Sequence, residues 1–137
     1  MGREISSNDK CDMSLCPVNK AMEYLSKKWS IEIIRDMFFG KTRFSQFKED
    51  KPKLSNKVLS DCLKHLESKG IIKKRIISDT PTVTEYYLTE RGKSLNKVIY
   101  ELAVFTIDCN DNEEYLDESA RMERKKEFRE ILDIDIE

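Results

Sequence analysis

Residues 54–89 read LSNKVLSDCLKHLESKGIIKKRIISDTPTVTEYYLT, and the hydrophobic period changes once along that stretch. In its first half Leu59, Cys62, Leu63 and Leu66 recur at helical spacing, so they share one face of a helix over residues 56–69. Ser55 stands where an N-cap belongs and Gly70 where a helix stops. A helical wheel puts Lys57, Ser60, Asp61, Lys64 and Ser68 on the opposite face, with Asn56 in the first turn. In the second half the run IIKKRII, residues 71–77, is β-branched and predicts a strand. Asp79-Thr80-Pro81 predicts a turn, and residues 83–88 the return strand. A helix with a polar outer face, followed at once by a hairpin, points to a winged helix-turn-helix.

Upstream, residues 1–15 carry no sustained pattern and predict an arm. Pro17 suits a first helical position, and Val18, Ala21, Met22 and Leu25 follow at helical spacing. Trp29, Ile33, Ile34, Met37 and Phe38 form a second stripe that Gly40 can end. Arg43-Phe44 leads into a short helix, capped by Ser45 and carrying Phe47 inward, which Pro52 breaks. Downstream, Thr89 caps a long helix with Leu95, Val98, Ile99, Leu102 and Phe105 on its inner side. That is more apolar surface than one small wing can cover, so the helix reads as a subunit interface. A break at residues 108–112 precedes a polar last helix over residues 113–132. The expectation is a mainly α protein with a small antiparallel β-hairpin and terminal helices that pair two subunits. It divides into an arm at 1–15, a winged helix-turn-helix domain at 16–107 and an acidic helical extension at 108–137.

Charge supports this layout. The chain has 25 Lys and Arg against 26 Asp and Glu, but residues 41–97 hold 14 basic and 7 acidic side chains while residues 101–137 hold 5 and 13. A basic middle is what a phosphate-binding face requires. Other classes fall away. One histidine, His65, excludes a two-histidine metal site, and four glycines form no phosphate loop. Four cysteines in a chain with no signal-peptide pattern read as thiols rather than a disulfide framework. The C-x4-C spacing of Cys11 and Cys16 is looser than zinc ligands use. No apolar run approaches the roughly 20 residues that span a bilayer. The reading is a cytoplasmic protein with no membrane partner, cofactor, metal or catalytic constellation.

A recognition helix reads base edges with its N-terminal half. Asn56 can pair bidentately with adenine, Lys57 can reach guanine, and Ser60 either base. Asp61 can accept only from cytosine N4 or face solvent. Lys53, Lys64 and Arg43 suit phosphates, as do the amides that follow Ser55. Arg75, beside Lys73-Lys74, lies on the strand entering the wing. One short helix reads few bases, so double-stranded DNA with a pseudo-palindromic operator and a homodimer are the expected partners. The alternative, from another class, is a winged-helix module that docks a protein without specific DNA binding. A steep salt dependence on duplex DNA separates the two.

At Cys16-Pro17-Val18, Lys28-Trp29, Arg43-Phe44-Ser45, Leu54-Ser55, Gly70-Ile71-Ile72 and Glu85-Tyr86-Tyr87-Leu88-Thr89 the chain resembles the HxlR-type transcriptional regulators, winged-helix relatives of the MarR regulators. The resemblance covers about residues 16–105 and implies a dimeric DNA-binding regulator whose terminal helices pair the subunits. Where the family's wing usually carries a basic residue, this chain has Thr82-Val83-Thr84. Cys16 precedes a helix-starting proline, where the dipole and free amides favour a reactive thiolate. The resemblance also implies that role, since several members sense oxidants or electrophiles through a cysteine at this position. Cys11 could act as its resolving thiol, and a disulfide to the partner subunit is the other option. Cys62 reads as a small buried hydrophobe, and Cys109 is left unassigned. An oxidant or small-molecule effector stays open. The acidic end reads either as a solvated helix or as a segment that competes with DNA.

Overall fold

The computed structural model describes residues 15–109, 115 and 117–135. Four helices come first: α1 (Pro17–Tyr24), α2 (Ser30–Phe38), α3 (Phe44–Lys48) and α4 (Asn56–Ser68). The antiparallel hairpin β1 (Ile72–Asp79) and β2 (Thr82–Leu88) follows, then α5 (Glu90–Lys93), α6 (Asn96–Ile107) and α7 (Glu118–Ile131). The protein is therefore mainly α with one hairpin. Among the described residues no helix is long and apolar enough to cross a membrane.

The core gathers the predicted inner faces of α2, α3 and α4, whereas Val98, Leu102 and Phe105 of α6, expected on its inner side, are exposed because nothing else among the described residues covers them. Ile33, Ile34 and Met37 of α2, Phe47 of α3, and Leu59, Cys62, Leu63 and Leu66 of α4 are buried together with Leu54, Ile71 and Ile72. Ile99 of α6 and Leu132, just past α7, close the cluster. Phe128 of α7 meets Phe39 with ring centroids 5.6 Å apart, and the Asn96 amide donates to the Leu132 carbonyl at 3.0 Å. The acidic last segment is thus packed against α2 and α6.

The hairpin pairs Ile72 with Leu88, Lys73 with Tyr87, Lys74 with Tyr86 and Arg75 with Glu85, and its register shifts between Ile76 and Ser78. An antiparallel register alternates faces, so Lys73, Arg75, Glu85 and Tyr87 share one side. At its base Gly70 takes φ +74°, a left-handed turn that suits glycine. Thr89 Oγ1 donates to the Gly70 carbonyl at 2.5 Å and accepts from the Gly92 amide at 3.1 Å. Gly92 lies so close to β1 that a Cβ there would sit 2.2 Å from the Ile71 carbonyl oxygen.

Local structure departs from expectation in three places. Arg43, not Ser45, occupies the N-cap of α3, and the Gln46 side chain serves that end by accepting from the Thr42 and Arg43 amides at 2.9 Å each. Thr89 caps only the four-residue α5, and the long helix starts at Asn96. Gly92 weakens helix continuity, and the Ser94 hydroxyl takes the Arg91 carbonyl at 2.5 Å, so the chain turns before α6 begins. Finally, Asp117 caps α7 through the Ser119 amide at 3.1 Å, later than the expected start at residue 113.

Beneath the helices lies a buried ion pair. Lys51 and Asp36 are 5% and 3% exposed, and the Lys51 ammonium donates to the Asp36 carboxylate. The same ammonium donates to the Phe47 carbonyl at 3.0 Å and to Asp50 at 2.8 Å, while Arg35 Nη2 donates to Asp36 at 2.9 Å.

Two stability outcomes follow. Asp36→Ala or Lys51→Ala removes the buried partner of the other charge, leaving Lys51 with Asp50 or Asp36 with Arg35, and should lower urea stability by about 1–3 kcal/mol. The double replacement by Leu and Met should recover most of that loss, and additive losses would contradict the pairing. The hydrogen bond from Lys51 holds the Asp50 carboxyl down from 3.8 to about 2. A carboxyl depressed in the fold stabilises fully above pH 3.8 and loses that contribution as pH falls toward 2. Asp50→Asn should therefore flatten the acid limb of a urea-midpoint profile over that window.

Candidate nucleic-acid interface

α4 seals one face against the core and turns the other outward. Ser55 accepts from the Val58 amide at 3.1 Å, so its hydroxyl holds the helix start. Asn56, Lys57, Asp61 and Lys64 are exposed and Ser60 is half-buried. Lys53 is exposed just before the helix. Asn56 is not solitary: the Lys48 ammonium, at the end of α3, donates to its Oδ1. That contact leaves the Asn56 amide nitrogen as the outward donor. Val58 is 44% exposed on the same first turn, an apolar group among polar ones.

Arg43 and Arg75, distant in sequence, meet at the wing base. The amide of Tyr86 donates to the Thr42 carbonyl at 2.8 Å, which pins β2 to the loop before α3. Arg43 Nη2 then lies 3.9 Å from Glu85 Oε1, and the Arg75 guanidinium sits 5.3 Å from the centre of the Tyr87 ring. Arg75 is also the register partner of Glu85. The Tyr87 hydroxyl donates to Glu85 Oε2 at 2.8 Å. That bond, followed by one from the Thr42 side chain, holds the Glu85 carboxyl below its ordinary value, and it raises the Tyr87 phenol in turn. One carboxylate thus organises two guanidiniums and leaves the group net positive.

The cysteines divide by burial. Cys62 is buried beside the Ser30 hydroxyl at 3.8 Å, and burial pushes its thiol up. Cys16 is half-buried at the N-cap of α1, with Pro17 opening the helix, and Cys109 is exposed beyond α6. Cys11 lies outside the described residues. His65 packs sideways, its Nε2 3.0 Å from the Glu23 carbonyl oxygen, and so ties α4 to the end of α1. Among the described residues no group of three potential ligands could hold a metal.

Sequence reasoning placed Lys57, Ser60, Asp61 and Lys64 on the outward face from periodicity alone. It missed Lys48, Val58 and Glu85. A wheel of α4 does place Val58 between its two faces, but Lys48 and Glu85 act across elements and carry no local signal.

Glu85→Gln should return the Tyr87 phenol toward its ordinary value. Ultraviolet titration in alkali should show one tyrosine ionising at lower pH than in the wild type, and Tyr87→Phe should remove that component. An unchanged titration in Glu85→Gln would break the assignment.

Comparison with known proteins bears on this geometry. The model of the HxlR-like helix-turn-helix family matches residues 24–114. The HTH-type transcriptional regulator YvaP of Bacillus subtilis is 38% identical over 98 residues, covering 71% of this chain and 91% of its own. The oxidised form of the redox regulator HypR superposes with a TM-score of 0.65 at 28% identity, over 71% of this chain and 100% of that one. The reduced form of the regulator YodB from B. subtilis gives 0.60 at 32% identity, over 72% and 99%.

Proposed function

Because the chain belongs to the HxlR-like helix-turn-helix family, we propose that it is a sequence-specific DNA-binding transcriptional regulator that acts as a homodimer and answers to thiol oxidation at Cys16. The family and fold are those of non-catalytic regulators. The observation that carries the reading is the outward face of α4, where Asn56, Lys57 and Lys64 stand free of the core, supplemented by the Arg43–Arg75 group that Glu85 holds at the wing base.

In this reading Asn56, Lys57 and Ser60 contact base edges, and Lys53, Lys64, Arg43 and Arg75 hold phosphates. Ser55 acts through the helix start it caps, whose free amides suit a phosphate. Lys48 orients Asn56, and Val58 suits a thymine methyl.

The dimer reading rests on unpartnered apolar surface. Val98, Leu102 and Phe105 of α6 are 41%, 47% and 78% exposed, and Val18 and Met22 of α1 are 68% and 52% exposed. α7 packs against α6 yet leaves this face clear. Pairing two such faces would set two α4 helices on successive major grooves, about 34 Å apart on a pseudo-palindrome.

The thiol reading draws on Cys16 at the N-terminus of α1 and on the redox regulator HypR, known in oxidised and reduced forms. Two thiols, Cys16 with Cys11 or with the partner subunit, would join as a disulfide and pass two electrons and two protons to an oxidant such as a peroxide. Because α1 contacts α4 through His65, a shift of α1 would move the recognition helix.

Fluorescence anisotropy of the reduced protein on duplex DNA from upstream of its own coding region tests the whole reading. Binding should prefer that duplex to a scrambled one and weaken steeply with salt. Lys64→Ala should weaken both duplexes alike and flatten the salt slope by about one. Cys16→Ser should keep the reduced affinity and lose the oxidant response. Absence of salt-dependent binding to either duplex would favour a protein-docking module instead.

A further inference from the structure

The end of α3 and the start of α4 bring together Lys48 and Asn56, eight positions apart in the chain. The Lys48 ammonium donates to the Asn56 side-chain oxygen. Only an oxygen can accept from an ammonium, so this contact fixes which end of the amide is which. Oδ1 faces Lys48 and Nδ2 is the open end. Among the described residues Nδ2 has no hydrogen-bond partner, and Lys48 pairs with no carboxylate. An ammonium carries three N–H bonds, so Lys48 keeps two to offer elsewhere. Asn56 is exposed and Lys48 half-buried, and neither belongs to the core.

A free asparagine reads adenine because its oxygen accepts from N6 while its nitrogen donates to N7. The contact with Lys48 changes that pattern. The Asn56 oxygen keeps a second lone pair, but an adenine amine brought to it would set its N–H dipoles against the neighbouring ammonium. Guanine presents two acceptors in the major groove, O6 and N7. Beside an ammonium a carbonyl oxygen is attracted where an amine is repelled. The surroundings act in the same sense. The first turn of α4 carries no acidic residue, Lys57 is exposed next to Asn56, and the helix N-terminus adds partial positive charge. Toward a base edge, this corner of the protein offers donors.

We propose that Lys48 and Asn56 act together as a donor fork that reads guanine. Asn56 Nδ2 and the Lys48 ammonium share O6 and N7 between them, while the ammonium keeps its bond to Asn56 Oδ1. Lys48, at the end of the helix before the recognition helix, is thereby a specificity-determining residue, and the base opposite Asn56 is guanine instead of adenine. The inference rests on the reading of α4 as a recognition helix and names one base of its half-site.

The test is selection from a randomised duplex library by the reduced full chain, read by sequencing, for the wild type, Asn56→Ala, Lys48→Met and Lys48→Arg. The position at issue is the one whose base preference Asn56→Ala erases while neighbouring positions keep theirs. There the wild type should prefer guanine to adenine by about tenfold or more. Lys48→Met keeps the apolar stem but removes the ammonium and frees the Asn56 oxygen, so preference at that single position should move to adenine. Lys48→Arg retains donors and should keep guanine. Equal thermal unfolding midpoints check that each variant is folded. Adenine at that position in the wild type overturns the proposal. So does Lys48→Met that weakens every duplex alike and leaves the base unchanged, which would make Lys48 a phosphate contact. Asn56→Ala that erases no position overturns it as well. A library in which the wild type enriches no sequence would instead refute the regulator reading, and this inference with it.

Discussion

An ammonium and a carboxylate withdrawn from water side by side, Lys51 and Asp36, set the geometry on which the helix-turn-helix depends. Apolar contacts among Ile33, Phe47 and Leu59 draw α2, α3 and α4 together, but dispersion and hydrophobic burial carry little direction. The Lys51 ammonium does carry direction. It donates at once to Asp36 of α2, to the carbonyl of Phe47 in α3 and to Asp50 in the turn. A displaced helix would leave a buried charge without its partners, which costs far more than a shifted methyl group. The pair thereby fixes α2 against α3 and the turn that leads into α4.

The second constraint is electrostatic separation. A chain with nearly equal numbers of positive and negative side chains concentrates them in separate stretches of sequence, a basic middle and an acidic end. α7 is held by Phe128 against Phe39, by Arg129 Nη1 donating to the Tyr100 hydroxyl at 3.1 Å and by Lys125 pairing with Asp108 at 2.7 Å. These contacts run to α2 and to α6 and its end, so part of the helix's own basic charge is spent on fixing it there. Within the basic segment, Glu85 works in the opposite sense. It gathers Arg43 and Arg75 instead of cancelling them, and the Tyr87 hydroxyl helps keep it ionised.

What could be read in advance depended on how locally the information was stored. The period of Leu59, Cys62, Leu63 and Leu66, the cap at Ser55 and the stop at Gly70 are all confined to one helix, and they placed α4 within a residue of its observed end. Short-range competition was harder. At Arg43 the deciding group was the Gln46 side chain rather than the better capper Ser45. At Ser94 a hydroxyl and a glycine two residues earlier broke a helix that hydrophobic spacing alone would continue. The stripe Val98, Leu102 and Phe105 was legible as apolar, but its exposure on the single chain required knowing what else packs against α6.

The sequence by itself determined the order of the elements, the inward faces of α2 and α4, the hairpin and the family, because periodicity, β-branching and turn chemistry act over a few residues. Only the tertiary structure decided which charges are buried, which polar groups meet and where cavities form. Lys51 is an ordinary surface lysine in the one-dimensional chain, and Glu85 an ordinary strand residue. A cavity under the wing draws on α2, β1, β2, α6 and the end of α7, segments nearly a hundred residues apart at the extremes. Such features come from contacts between elements, whose distances depend on packing that no single segment encodes.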